Sequence, residues 1–221
     1  MLYKNISVEK IFHAGIKIKN NSTVIYVDPL NLPTDSESAD FVLITHEHLD
    51  HLSPNDIKKI SGKNTVIITT PLCAKKISGI ENKQILHTKP GKIFDFGNLK
   101  ISAVPAYNTN KFRSPGVPFH PKEHGGVGFV LGIDGVKIYH AGDTDVVPEM
   151  SDLKDVDVAL LPVSGIFVMT PEEAAEAAGT IKPALAIPIH YGDFEFNGQI
   201  VGAKENGAKF KSLCNFPTSI V

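Results

Sequence analysis

The chain has 221 residues, of which 42% are hydrophobic and 21% are charged, and its formal net charge at pH 7 is -2. This composition is ordinary for a soluble globular protein, and the length fits a single domain over residues 1–221. A net charge this small gives no overall electrostatic attraction to nucleic acid or to an anionic membrane, so we expect neither as a partner.

The sequence carries no signal for export or membrane insertion. Its first residues lack the long apolar region of a signal peptide, and no uninterrupted apolar segment approaches membrane-spanning length. The two cysteines, Cys73 and Cys214, form no CxxC pair, which is typical of thiols in a cytosolic protein. We therefore expect a cytoplasmic protein. Whether copies of it form a homo-oligomer stays open.

The N-terminal region predicts β-strands. Residues 11–18 and 23–27 are rich in β-branched side chains, and residues 20–22 between them have turn chemistry, so we expect a β-hairpin. His13 falls inside the first predicted strand. It is either a buried core histidine or a residue at the edge of a ligand pocket.

A continuous apolar run over residues 41–45 predicts a buried strand. Four ligand-type side chains follow within the next six positions: His46, His48, Asp50 and His51. The pair Ser53-Pro54 then signals the start of a helix, so the ligand-type side chains lie on a short loop at the C-terminal end of a strand. Open α/β sheets bind ligands at such loops, and imidazole with carboxylate suits zinc and also iron, manganese or nickel.

Strands and helices alternate up to about residue 87, which predicts helices packed on a sheet. The connection over residues 106–126 is long and has little regular pattern, so we expect a lid or a binding loop there. Three of its polar side chains are candidate metal or substrate contacts: Asn108, His120 and His124.

Two more predicted strands end in ligand-type side chains. Asp143 follows a hairpin over residues 127–140, and His190 follows a strand over residues 185–189. Residues that are distant in sequence but all at strand ends can converge on one edge of a sheet. We therefore expect Asp143 and His190 to join the loop that begins at His46.

These residues resemble the metallo-β-lactamase superfamily of metal-dependent hydrolases, whose hallmark HxHxDH is matched by residues 46–51. Further segments are similar to a small cytosolic branch related to an ascorbate-lactone lactonase: IFHAG, VDP, ITHEHLDHLSP, YHAGDTD, LLPVSG, MTPEEA and IPIHYG. The resemblance implies an α/β (α+β) fold, a four-layer αββα sandwich with a two-metal site at one edge of the paired sheets.

The resemblance also implies a ligand set and an activity. His46 and His48 would bind the first metal, with Asp143 bridging to a second metal bound by Asp50, His51 and His190. The cofactor would be one or two Zn(II) ions, with Mn, Fe or Ni as alternatives. A bound cation lowers the pKa of water from about 15.7 to near 7, and Asp50 would accept a proton from the resulting nucleophile. The implied reaction is hydrolysis of an ester, lactone, amide or phosphoester in a small-molecule substrate.

The sequence departs from the family pattern at one position. The family usually has a third histidine at the first site, and the matching residue is Asn108, whose amide oxygen is a weaker and harder ligand than imidazole. Three alternatives stay open: Asn108 or a water completes the site, His120 or His124 moves in from the lid, or only the second site is tightly filled. His13 or His124 could instead contact an anionic group of the substrate.

Two other functions remain beside the hydrolase. A degraded first site would suit a metal-binding sensor or binding protein of the same fold. A nuclease is the remaining alternative, although nuclease branches of this superfamily typically carry an added domain for which the chain has no room.

Overall fold

The computed structural model describes residues 1–21, 23–192, 194–196 and 198–219. These residues form two compact units, residues 1–88 and residues 89–219. No helix among the described residues is both long enough and apolar enough to cross a membrane.

The first unit contains a seven-stranded sheet whose strands follow one another in chain order: β1 (Leu2–Tyr3), β2 (Ile6–Phe12), β3 (Gly15–Asn20), β4 (Thr23–Val27), β5 (Phe41–Ile44), β6 (Val66–Thr69) and β7 (Gln84–His87). Strands β1 to β4 pair antiparallel, whereas β4 to β7 pair parallel. The parallel strands therefore end at the same edge of the sheet. Residues that follow β4 and β5 directly, Asp28 and Thr45, lie at neighbouring strand ends.

Two short helices accompany this sheet: α1 (Pro54–Ile60) and α2 (Pro71–Lys76). The predicted start of α1 is confirmed, because the Ser53 hydroxyl accepts a hydrogen bond from the backbone N–H of Asp56 and Pro54 is the first helical residue. Helix α1 buries Ile57 and Ile60 in an apolar cluster with side chains of β4, β5 and β6. This packing fixes the helix that follows the histidine-rich loop.

The predicted N-terminal hairpin is partly wrong. Strand β2 ends at Phe12 and β3 begins at Gly15, so His13 lies in a turn and not inside a strand. Its backbone has φ 53°, a left-handed conformation that a strand does not contain. The second hairpin, between β3 and β4, is present as expected, although Ser22 of its predicted turn lies outside the described residues.

The second unit contains a six-stranded sheet of β8 (Ile93–Asp95), β9 (Leu99–Pro105), β12 (Val127–Ile133), β13 (Val136–His140), β14 (Val158–Pro162) and β15 (Leu185–Ile189). The strands lie side by side in this order, with β8 at one edge of the sheet and β15 at the other. Between β9 and β12 the chain forms a small hairpin of β10 (Phe112–Ser114) and β11 (Val117–Pro118), and β16 (Glu195–Phe196) pairs with β17 (Gln199–Ile200) near the end. Strands β13, β14 and β15 are parallel, so the segments that follow them begin at one edge.

Helices α3 (Pro171–Ile181) and α4 (Asn206–Leu213) pack on one another in the second unit. The predicted capping box of α3 is confirmed: the Thr170 hydroxyl accepts from the backbone N–H of Glu173, and the Glu173 carboxylate accepts from the backbone N–H of Thr170. The Ala-rich face of α3 is buried with Tyr139, Leu161 and Phe210. The long connection after β9 is more ordered than expected, because it contains β10, β11 and a 3-10 turn over Lys122–His124.

Candidate metal centre

The histidine-rich loop leaves the end of β5 and brings its imidazoles close together. The ring centroids of His46 and His48 are 4.6 Å apart, and those of His46 and His51 are 4.2 Å apart. His46 and His51 are buried. Burial of neighbouring imidazoles is costly unless they share a partner, and packing alone gives no reason for it.

Asp28, at the end of β4, lies directly behind His51. Its Oδ2 is 2.7 Å from Nδ1 of His51, and both side chains are fully buried. The same carboxylate accepts two hydrogen bonds from Thr45, one from the backbone N–H at 2.8 Å and one from the hydroxyl at 2.6 Å. When Nδ1–H of His51 donates to Asp28, the lone pair of this imidazole is at Nε2, the atom available to a metal.

Thr45 extends the same arrangement to His46. Its single hydroxyl hydrogen is donated to Asp28, so the hydroxyl oxygen accepts from Nδ1 of His46, which is 3.0 Å away. His46 therefore also presents Nε2 as the acceptor atom. Neither Asp28 nor Thr45 was predicted as a site residue from the sequence, although Asp28 is an acidic residue at a strand exit, which is a recognisable signal.

Asp50 lies between two buried imidazoles of the first unit. Its Oδ2 is 3.4 Å from Nε2 of His13 and 3.6 Å from Nε2 of His51. The turn between β2 and β3 thus brings His13 to the histidine-rich loop. His13 is fully buried there, so its position agrees with both predicted alternatives.

In the second unit, Asp143 follows β13 and His190 follows β15. The Oδ2 atom of Asp143 lies 3.1 Å from Nε2 of His190 and 3.1 Å from Nε2 of His120. All three side chains are buried. One carboxylate oxygen is therefore flanked at equal distance by two imidazoles, one at a sheet edge and one in the long connection.

Close backbone packing positions Asp143. Gly128 on β12 faces the exit of β13, where an added Cβ atom would lie 2.7 Å from the carbonyl oxygen of Ala141. Gly142 turns the chain with φ 64°, and its N–H donates to Nδ1 of the buried His140 at 3.2 Å. His140 therefore supports the turn that carries Asp143.

Asn108 contacts His120. Its Oδ1 accepts hydrogen bonds from the backbone N–H of His120 at 2.7 Å and from Nδ1 of His120 at 2.9 Å. Its Nδ2 donates to the carbonyl oxygen of Phe167 at 2.9 Å. The amide oxygen of Asn108 is thus turned towards His120.

The long connection is fixed to the rest of its unit by partly buried polar contacts. Asp145 accepts hydrogen bonds from the backbone N–H groups of Thr109 at 2.7 Å and Asn110 at 2.9 Å. Lys111 forms an ion pair with Glu173 of α3 at 2.7 Å. His124, by contrast, is exposed in the 3-10 turn and belongs to neither group of candidate ligands found among the described residues.

Three residues near these side chains have left-handed backbones although they are not glycine: His13 at φ 53°, Asp28 at φ 46° and His190 at φ 60°. Such conformations cost about 1–3 kcal/mol each and persist where the surrounding structure holds them. Each of the three adjoins a strand end. The surrounding structure therefore holds these three strand ends in a fixed local conformation.

The donor chemistry of both units fits a transition-metal cation. The first unit supplies the imidazoles of His46, His48 and His51 with the carboxylate of Asp50, and the second supplies His120, His190 and Asp143. Imidazole nitrogen and carboxylate oxygen are the donors of catalytic zinc sites. The oxygen atoms behind Nδ1 of His46, His51 and His120 are placed like the outer contacts that orient metal-binding histidines in other proteins.

The chain matches the Beta-lactamase superfamily domain over residues 7–190. A UPF0173 metal-dependent hydrolase of Methanoculleus marisnigri is 34% identical over 223 residues, 94% of this chain and 88% of the relative. One of Geobacillus sp. is 31% identical over 198 residues, 82% of this chain and 84% of the relative. The solved structure of a Parabacteroides distasonis protein assigned as a metal-dependent hydrolase has 34% identity and a TM-score of 0.82, covering 97% of this chain and 92% of that one.

These similarities show that the chain is a mixed α/β protein with the metallo-β-lactamase fold. Within that class, the chain belongs to the UPF0173 family of metal-dependent hydrolases. The sequence predictions of the superfamily, of the fold and of an enzyme are confirmed.

Proposed function

We propose that this chain hydrolyses an ester, lactone, amide or phosphoester bond of a small molecule, with one or two bound divalent cations, zinc first among them. The observation that carries the proposal is the position of Asp143 Oδ2, 3.1 Å from Nε2 of both His120 and His190. A carboxylate oxygen flanked by two imidazoles suits a ligand shared by two cations. Two-cation sites of this kind occur in phosphatases, nucleases and aminopeptidases.

The proposed ligands come from both units and follow the family pattern. His46 and His48 would hold the first cation, Asp50, His51 and His190 the second, and Asp143 both. Two observations support this set. The family match over residues 7–190 spans both units, which favours a single domain over residues 1–221. In addition, His46 and His51 each have an oxygen behind Nδ1, which leaves Nε2 for a metal.

In the proposed reaction the bound cation and the side chains around it have different roles. When bound, a divalent cation lowers the pKa of water at the site and stabilises negative charge on the reacting group. Asp50 accepts a proton from the attacking water in our proposal. His13, 3.4 Å from the same carboxylate, restricts its direction. Asp28 keeps His51 in the tautomer that presents Nε2.

Composition supports a small substrate and a cytoplasmic location. The formal net charge of -2 offers no broad attraction for nucleic acid, which argues against the nuclease alternative. Both cysteines, Cys73 and Cys214, are free thiols, which fits a reducing compartment. The resemblance to the branch of the ascorbate-lactone lactonase makes lactones the first substrates to test.

The experiment begins with elemental analysis of untagged protein, followed by removal of metal with a chelator and reconstitution with Zn, Mn, Fe or Ni. Each form is then assayed on lactones, phosphodiesters and thioesters. We expect bound transition metal, and turnover that disappears with the chelator and returns with the metal. Asp50→Ala should abolish turnover and leave the folded state intact, whereas Asp35→Ala, at an exposed acidic position, should retain it.

Either of two results would contradict the proposed hydrolase, and a third would contradict the role of Asp50. Protein that binds no transition metal refutes the cation site itself. Protein that binds metal at full occupancy but turns over no member of the panel supports the sensor or binding alternative. Turnover in Asp50→Ala equal to that of the unaltered protein would exclude Asp50 as the proton acceptor.

A further inference from the structure

We propose that His120, from the long connection, is a metal ligand at the Asp143 carboxylate, and that Asn108 is the positioning residue that fixes its tautomer. This inference rests on the proposed cation site. It assigns the residue that replaces the third first-site histidine expected from the family resemblance.

The orientation of the Asn108 amide follows from its contacts. The carbonyl oxygen of Phe167 can only accept a hydrogen bond, so the amide group facing it at 2.9 Å is Nδ2. The oxygen Oδ1 must therefore face His120. There it accepts from the backbone N–H at 2.7 Å and meets Nδ1 at 2.9 Å. Both lone pairs of Oδ1 are used, so this oxygen is not directed at a cation.

The tautomer of His120 follows from the orientation of Asn108. Because Oδ1 is an acceptor, Nδ1 of His120 carries the hydrogen, and the lone pair of the neutral ring lies at Nε2. That atom is 3.1 Å from Oδ2 of Asp143. A lone pair facing a carboxylate oxygen is repulsive by itself, and a cation bound to both atoms makes the contact favourable.

His120 is presented by a segment that is already fixed. The backbone N–H of Asn108 donates to the carbonyl oxygen of His120 at 2.9 Å, so the two residues are joined by backbone and side-chain bonds. Asp145 accepts from the backbone of the next two residues, Thr109 and Asn110. Asn108 and His120 are both buried. The structure therefore favours a preformed ligand over a histidine that moves in from a mobile lid.

The test compares metal binding by two pairs of variants. The control for His120→Ala is His124→Ala, because His124 is the exposed histidine of the same connection. The control for Asn108→Ala is Asn110→Ala, because the side-chain amide of Asn110 contacts Glu173. Stoichiometry and affinity for Zn²⁺ and Co²⁺ are measured by competition with a chromophoric chelator, together with the Co²⁺ absorption spectrum. Thermal unfolding of the metal-free variants reports whether each one is folded.

We expect His120→Ala to lose one cation equivalent or to change the Co²⁺ spectrum. Asn108→Ala should weaken one site about 10- to 100-fold, the usual effect of removing an outer contact to a ligand. Asn108→Asp still accepts from Nδ1–H but loses the N–H that donates to Phe167, so it should restore only part of that affinity. His124→Ala and Asn110→Ala should bind metal as the unaltered protein does.

The tautomer of His120 can also be measured in the unaltered protein, so that this test does not depend on whether a variant folds. The ¹⁵N chemical shifts of the imidazoles in metal-free protein should show His120 protonated at Nδ1. A hydrogen at Nε2 alone, or unchanged Co²⁺ binding in folded His120→Ala, would overturn the inference and leave the proposed hydrolase intact. If the unaltered protein binds no metal at all, the proposed function fails and this inference fails with it.

Discussion

Nδ1 of His51 lies 2.7 Å from Oδ2 of Asp28, and these two buried residues follow neighbouring parallel strands, β5 and β4. The same relationship occurs twice more with different oxygen atoms. Thr45 lies behind Nδ1 of His46, and Asn108 lies behind Nδ1 of His120. Three imidazoles thus have Nδ1 bound to a neighbouring oxygen, which fixes each ring before any ligand binds.

Asp28→Asn should weaken metal binding about 10- to 100-fold, because a neutral amide holds the imidazole of His51 less strongly than a carboxylate does. Asp56→Asn is a matched control. Asp56 is also a buried acid of the first unit, but it accepts from the backbone of Asn31 and Leu32 and from Lys59. The control should lower the free energy of unfolding without changing metal affinity. Equal metal affinity in Asp28→Asn and the unaltered protein would show that Asp28 serves only the fold.

Gly128→Ala should destabilise the second unit by about 1–3 kcal/mol, the usual cost of inserting a methyl group into a well-packed interior. The new Cβ would lie 2.7 Å from the carbonyl oxygen of Ala141, two residues before Asp143. Gly132 on the same strand offers the control, since a Cβ there meets its nearest neighbours at 3.9 Å. Chemical denaturation should separate the two variants, and comparable stability in both would contradict the close approach.

Local patterns in the sequence predicted the positions of the ligand-type side chains. The loop from His46 to His51, Asp143 and His190 each follow a strand that the pattern of apolar residues identified, and the structure has those strands. The proposal that these residues share cations stays a prediction from the family resemblance.

The contacts behind the histidines were not predictable in the same way. Asp28 is 23 positions from His51, and Asn108 is 12 positions from His120. No periodicity links such pairs, because the contacts depend on which strand ends are neighbours. The turn at His13 was missed for a different reason: Gly15 follows two positions later, but a single glycine inside a run of strand-forming side chains does not by itself predict a turn.

His13→Asn should lower kcat on any substrate found in the hydrolase panel, with little change in KM or in metal content. Nε2 of His13 is 3.4 Å from the carboxylate of Asp50, the proposed proton acceptor. Asparagine tolerates the left-handed backbone at this turn, so the substitution removes the imidazole with little strain. Steady-state kinetics and metal analysis of the same samples compare His13→Asn with the unaltered protein. Loss of metal in step with activity would instead indicate a structural role in the first unit.

Glu173→Gln should remove a pH-dependent part of the stability of the second unit. Burial raises the pKa of Glu173, but hydrogen bonds from Lys111, the Thr170 backbone and Asn110 outweigh this effect and hold the pKa below its ordinary value of 4.5. A lowered pKa in the folded state means that the stabilisation is complete above about pH 4.5 and is lost as the pH falls through the folded-state pKa. Glutamine can still complete the capping box with Thr170, so the variant mainly removes the charge.

At pH 7 the free energy of unfolding of Glu173→Gln should be lower by about 1 kcal/mol, and the difference should shrink below pH 4.5. Lys111→Met should give a pH dependence of the same sign but smaller, because Thr170 and Asn110 still donate to the Glu173 carboxylate. Glu176→Gln, at an exposed position of α3, is the control for loss of an acidic charge from this helix. A difference that stays constant from pH 7 to pH 3.5 would show that the charge of Glu173 does not stabilise the contact between α3 and the connection that carries His120.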